Sequence, residues 1–279
     1  MPASRSVLRG LVWLLFVLLA LRFAALWADA FAGTSLPFPG SIGFTLLFTA
    51  FSVLHAASLL GWRRSLAFLL VCAVVSWCFE EVGVSTGLVY GAYHYGEQLG
   101  PKLGKVPLII PLAWFMMVYA SWTVARLLLD GAGSSTSGVG TAARIVTAAM
   151  VMTAWDSVMD PGMARSGAWT WEQGGAYFGV PLQNFVGWLA TTVTVYALAE
   201  LLFRRLGGRL PLVIAGVYAG LPAILYALVA ADRLLLPGLP ELRVVAAFGM
   251  GFVALLAILR LALGPPAALP PRHSSFEQE

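Results

Sequence analysis

Eight apolar runs, each about the length needed to cross a bilayer, constrain this chain more than any other feature. They lie at about 7–28, 41–60, 65–84, 107–129, 141–159, 181–203, 211–231 and 243–263. A span of hydrocarbon takes roughly 20 apolar residues in helical form. With 59% of its 279 residues hydrophobic and only 11% charged, the chain has no stretch left over for a soluble domain. The expected fold is all-α, a polytopic transmembrane helix bundle of about eight helices, forming one transmembrane domain over residues 1–264. Residues 265–279 are Pro-rich and polar and are expected to be a disordered tail.

Residues 1–28 carry Arg5 and Arg9 ahead of an apolar stretch and end near Ala28-Asp29-Ala30, the layout of a signal peptide. The apolar stretch exceeds a usual signal core, so a retained first helix is expected. Arg22, inside it, is expected to face protein or to snorkel toward an interface.

The positive-inside bias sets the orientation. With the N-terminus inside, one side collects Arg5, Arg9, Arg63, Arg64, Arg126, Arg144, Arg204, Arg205, Arg209, Arg260 and Arg272. The other side holds Lys102, Lys105, Arg165, Arg233 and Arg243. This places both termini in the cytoplasm and the chain in the cell (inner) membrane. The net charge of +4 follows from that bias and calls for no nucleic-acid partner. Cys72 and Cys78, six apart on one expected helix, read as small packed residues and not as a disulfide.

Against this apolar background four acids stand out. Glu80 and Glu81 close the third run, and Asp156 and Asp160 close the fifth. A carboxylate near hydrocarbon costs several kcal/mol unless partnered or protonated, so these are the candidates for chemistry. Both acidic ends fall on the same side of the bundle and can share one cavity. Asp156 and Asp160 stand at i and i+4, on one helix face. Two close carboxylates in a poorly solvated site do not both ionise cheaply, and one tends to keep its proton, which makes a general acid. Glu80 and Glu81 are about 100° apart on a helix, so at most one of them is expected to face the cavity. Glu80 is the choice, because Ser76 and Trp77 share its face. The plain alternative for all four is a helix-end cap or an ion pair with Lys102, Lys105 or Arg165.

The two acidic ends lead into similar loops. Glu80 is followed by Gly87, Tyr90, Tyr93, Tyr95, Val106-Pro107-Leu108 and Trp114. Asp160 is followed by Gly167, Trp169, Trp171, Tyr177, Val180-Pro181-Leu182 and Trp188. The spacing from acid to Gly and from Val to Trp is the same in both, which predicts an internal repeat of helices 3–4 and 5–6, with chance matching as the alternative. A site at the interface of such repeats is a common arrangement in membrane proteins. The segment 131–138, rich in Gly and Ser, reads as a flexible linker between the units. Pro107 and Pro181 are expected at the second position, within the first turn, of the returning helices, where Pro suits a helix start.

The loop aromatics Tyr90, Tyr93, Tyr95, Trp169, Trp171, Tyr177 and Phe178 read either as an interfacial belt or as cation-tolerant walls for a flat apolar polyene. Trp169 and Trp171 are expected to point to opposite sides of an extended loop, one toward the cavity and one toward the headgroups. The chain has three His, too few for a many-histidine iron site, and lacks GxGxxG, CxxC, GxSxG and P-loop patterns. No metal site and no cofactor is expected. His55 reads as a hydrogen-bonded core residue.

These motifs resemble a known family. Glu80-Glu81-Val82-Gly83 through Thr86-Gly87, the loop Tyr90-Gly91-Ala92-Tyr93-His94-Tyr95, the stretch Asp156 to Pro161, Gly167 to Trp171, and Tyr177 to Phe185 with Gln183 and Asn184 are similar to the CruF-like carotenoid hydratases. That family includes the bisanhydrobacterioruberin hydratases and hydratases of the acyclic end of gamma-carotene. The resemblance covers roughly residues 75–190. It implies cofactor-free addition of water across the terminal isopropylidene double bond of a carotenoid through a tertiary cation. It also implies a lipophilic carotenoid, water and membrane lipids as partners, and association with other carotenoid-pathway enzymes. On chemical grounds Asp160 or Asp156 would donate the proton, and Glu80 would act as partner or water-orienting base. Asn184 and the loop aromatics would then line the substrate. Two other classes compete. Asp156-x-x-x-Asp160 matches one aspartate pair of membrane prenyltransferases that bind magnesium diphosphate, although the first Asn-Asp-rich motif is missing. A proton-coupled transporter could use the same acids as a relay.

Overall fold

A run that must satisfy its own backbone in hydrocarbon becomes a helix, and the eight apolar runs do so in the computed structural model. The structure describes residues 2–130, 137–207, 216–236 and 238–264. The linker expected at 131–138 falls almost wholly outside the described residues, as do the expected start of the seventh helix at 211 and the tail 265–279. The helices are α1 (Pro2–Ala32), α2 (Ser41–Leu60), α3 (Trp62–Thr86), α4 (Ile109–Leu129), α5 (Gly138–Arg165), α6 (Leu182–Arg205), α7 (Val217–Leu235) and α8 (Pro240–Leu263). α8 contains a π-helical turn at Ala246–Gly251. All eight are long and apolar enough to cross a membrane, and the chain is a multi-pass membrane protein.

α4 is the axis of the bundle. Its span is 78% buried, against 17% for α1, and it packs on α2, α3, α5, α7 and α8. α1 lies at the periphery against α2 and α7, burying Val12, Leu19 and Phe23.

Four short strands cap one end of the bundle: β1 (Tyr93–Tyr95), β2 (Lys102–Leu103), β3 (Val106–Pro107) and β4 (Trp169–Trp171). β2 and β3 make a small hairpin. β1 pairs antiparallel with β4, with Tyr93 opposite Trp171, His94 opposite Thr170 and Tyr95 opposite Trp169. The loops of the two sequence units are thereby joined into one ribbon. The units also match in detail. Gly87 and Gly167 both follow their helices in the left-handed region, at φ of 70° and 72°, where only Gly is unstrained. Trp114 and Trp188, matched in the repeat, stack with ring centroids 4.1 Å apart and planes 21° from parallel.

Two boundaries differ from expectation. Pro107 lies in β3 and Pro181 caps α6 from outside, so neither Pro is inside the first turn. α5 does not end at Asp160 but runs through Pro161 to Arg165. Pro161 has no N–H for the carbonyl of Ser157, four residues back, and the Tyr177 hydroxyl donates to that carbonyl instead, at 2.9 Å. α7 repairs its own internal proline in the same way. Pro222 leaves the Tyr218 carbonyl without its helical donor, and His55 Nε2 lies 2.8 Å from it. Nε2 must donate to a carbonyl, so Nδ1 accepts from the Tyr119 hydroxyl at 2.8 Å. His55 is thus a hydrogen-bonded core residue. Cys72 and Cys78 are both free thiols.

Candidate active site

The cavity that these elements enclose has a volume of about 190 Å³. α3 brings Glu80 to one wall and α5 brings Asp160 to another, both inside their helices. At 1.5 Å per residue, Glu80 lies about 9 Å and Asp160 about 8 Å from the ends of their helices. Helices α4 and α6 supply the stacked Trp114 and Trp188, α6 supplies Asn184, and the β1–β4 ribbon roofs the space with Tyr93, Tyr95, Trp169 and Trp171. Tyr90 and Trp155 complete the aromatic lining, and Met116, Met117, Met159 and Met163 fill between the rings.

The acids of the two units are served differently. Glu80, 4% exposed, accepts from three side chains. Tyr93 and Tyr95 both direct their hydroxyls at Oε2, the latter at 2.6 Å, and Trp114 Nε1 donates to Oε1 at 2.9 Å. Burial, with the Glu80 carboxylate beside them, pushes both tyrosine hydroxyls far above the ordinary phenol range, so both remain protonated donors. Asp156 and Asp160, fully buried, share a single amide. Asn184 Nδ2 donates to Asp160 Oδ2 at 2.6 Å and to Asp156 Oδ2 at 3.1 Å. Asp156 does not line the cavity; it sits behind Asp160, and its Oδ1 has no hydrogen-bond partner among the described residues.

Tyr90 is wedged between two helices. A Cβ on Gly83 would stand 2.7 Å from its ring and one on Gly187 2.6 Å from the opposite edge. Only Gly at both positions lets the ring pass, and its hydroxyl then bonds Thr191 Oγ1 at 2.7 Å. Trp171 Nε1 donates to the Tyr90 carbonyl at 2.8 Å, tying the ribbon to this wedge.

Two expected placements do not hold, and of the adjacent acids Glu80 faces the cavity, leaving the candidate Glu81 outside it. Trp169 and Trp171 do not point to opposite sides: both are buried, at 9% and 7% exposure, and both line the cavity, while Thr170 between them is exposed. Residues two apart in a strand share a face, so the extended conformation itself brings both rings in. Tyr177 does not line the cavity and serves the Ser157 carbonyl described above. Glu81 points away from the cavity and accepts the Lys105 backbone N–H at 2.8 Å, closing the β2–β3 hairpin. Of the loop aromatics, Tyr90, Tyr93, Tyr95, Trp169 and Trp171 are buried and line the cavity, and Tyr177 and Phe178 do not.

Some lining residues carried little sequence signal. Trp114 and Trp188 were visible as matched positions in the repeat. Arg22 of α1 sits at the cavity edge beside Phe23, with its guanidinium 4.1 Å from the Phe44 centroid, facing protein, one of the two placements expected for it. Trp155 and Asp232 give no sign in sequence of reaching the same space.

Comparison with known proteins places this geometry in context. The family model described as "Carotenoid biosynthesis protein" matches residues 40–237, a stretch that contains Glu80, Asp156, Asp160 and Asn184. A bisanhydrobacterioruberin hydratase of Haloarcula japonica is 37% identical over 148 residues, 53% of this chain and 48% of that protein. The match thus spans about half of the relative's own length. No solved structure matches the chain.

Proposed function

The chain belongs to the carotenoid biosynthesis protein family, and from that premise we propose that it is a carotenoid hydratase that adds water across the terminal isopropylidene double bond of an acyclic carotenoid end. The observation that carries this reading is an aromatic-lined cavity with Glu80 on one wall, rich in hydrogen-bond donors, and Asp160 on another, poor in them.

Asp156 and Asp160 have one shared amide donor between them, and a proton held by the pair supplies the missing hydrogen. Asp160 faces the cavity and delivers that proton to the less substituted carbon of the double bond. The π electrons form the new C–H bond and leave a tertiary cation. Tryptophan and tyrosine faces stabilise such a cation by roughly 0.5–2 kcal/mol each. Water attacks the cation, the oxonium gives its proton to Glu80, and return of that proton to the aspartate pair closes the cycle with water as the sole reagent consumed. Three fixed donors orient Glu80 so that it takes the proton without reorganising. The relative's printed name, bisanhydrobacterioruberin hydratase, supports this substrate class.

The test is expression in a host accumulating lycopene or gamma-carotene, in anaerobic membranes with isotopically labelled water. The expected product is heavier by one water and carries the label in its hydroxyl. Pigments of unchanged mass, or activity that requires Mg²⁺ and a prenyl diphosphate, would overturn the proposal.

A further inference from the structure

Hydration consumes one water per turnover, and most of the catalytic cavity's wall is apolar, with Glu80, Asp160, Asn184, Asp232 and Arg233 among its polar exceptions. Resting on the hydratase reading, the question is how water reaches Asp160. A second cavity, of about 280 Å³, lies on the other side of the same turn of α5. Met159, Asp160 and Met163 face the first cavity, while Val158, Pro161 and Gly162 face the second. Its remaining wall comes from the end of α7 and the start of α8, and it carries Arg165, which is exposed and near the end of the bundle where the strands lie. A water needs about 10–15 Å³ of such volume and two to four polar partners. This space has room for several, with charged groups to hold them.

Asp232 and Arg233 line both cavities. Asp232 is a buried carboxylate that the hydration chemistry does not use. It accepts from Trp27 Nε1 at 3.3 Å, with the Arg233 and Arg22 cations in its electrostatic neighbourhood. The Arg233 guanidinium lies over Gly162, where an added Cβ would stand 4.0 Å from Nη1. A buried carboxylate next to an exposed arginine, both in the wall that two cavities share, is a route for polar traffic through that wall. We propose that the second cavity is the water inlet of the enzyme and that Asp232 with Arg233 forms its polar passage to the catalytic cavity.

Gly162 can carry a probe, since it is exposed, an added Cβ there would meet, among the described residues, only Arg233 Nη1 at an ordinary contact distance of 4.0 Å, and it takes no part in the chemistry. In Gly162→Cys, the thiol should react with a small anionic methanethiosulfonate in intact membranes, and several-fold faster than with a cationic one, because Arg165 and Arg233 flank it. After labelling, hydration should fall several-fold while carotenoid retention stays as before; the parent chain, treated alike, should keep its rate. Asp232→Leu, which removes the polar passage, should lower hydration and steepen its dependence on water activity, and Asp232→Asn should restore most of the rate. A thiol at 162 that does not react with the charged reagents would overturn the inlet, as would a labelled protein that hydrates at the unlabelled rate. The thiol reaction is read without any turnover, so it stands or falls separately from the hydratase reading itself.

Discussion

The two halves of the site share one scaffold and differ in what their acids are offered. In the first half Glu80 receives three hydrogens, from Tyr93, Tyr95 and Trp114. In the second half Asp156 and Asp160 divide one amide group. Helix, left-handed glycine, strand and Trp are alike in both, so the contrast comes from a few side chains. The ribbon carries Tyr in one half and Trp in the other, and Trp donates only through its indole N–H. Trp171 spends that donor on the Tyr90 carbonyl and not on an aspartate. A matched backbone can thus hold a carboxyl rich in donors on one wall and a pair of carboxyls poor in them on the other.

The sharpest way to break this contrast is to neutralise each half in turn. Asp160→Asn should lower hydration by about 10²–10⁴, the usual worth of a positioned general acid. It adds hydrogens to a pair that lacks them, so thermal stability in detergent should hold or rise. Glu80→Gln should lose activity too; its carbonyl can keep the Trp114 N–H, but its NH₂ then faces the Tyr93 and Tyr95 hydroxyls, which must turn from donors to acceptors and lose their bonds to a charged oxygen, and stability should fall by about 1 kcal/mol. Equal melting shifts in the two variants would show that the halves do not differ in the way described.

Next in size is the aromatic wall. Trp169→Leu and Trp171→Leu should both slow hydration, each by about 2- to 30-fold if the cation loses 0.5–2 kcal/mol, because both rings face the cavity. If only one variant is slow, the other ring is packing alone. Initial rates at matched protein levels decide it.

Tyr95→Phe removes one of three donors to Glu80 and should cost a smaller factor. The raised phenols add a pH signature. Below about pH 10 folded and unfolded chains both keep these protons; above it only the unfolded chain ionises, so stability should decline there in the parent and less so in Tyr95→Phe, as followed by melting against pH. The smallest effect belongs to residues outside the cavity. Tyr177→Phe frees the Ser157 carbonyl and should cost about 1 kcal/mol of stability with the rate per folded molecule unchanged. Glu81→Gln should leave hydration at the parent rate, and a large loss there would move the acidic site out of the cavity.

Local patterns carried much of this protein. Hydropathy alone specified eight membrane helices, because each apolar run satisfies its own backbone and needs no partner to do so. The cost of charge in hydrocarbon marked Glu80, Asp156 and Asp160, and i, i+4 spacing put the aspartates on one helix. The inward turn of both Trp169 and Trp171 was also within reach, since strand periodicity alone places them on one face. What no local pattern held was the choice of partners between elements. That β1 pairs with β4, that Tyr93, Tyr95 and Trp114 converge on Glu80, and that Tyr177 leaves the site to serve the carbonyl opposite Pro161 depend on which donor finds which acceptor across the bundle. Spacing in sequence carries the first kind of information because helix and strand repeat along the chain; hydrogen bonds between distant segments repeat nothing, and only the packed tertiary structure decides them.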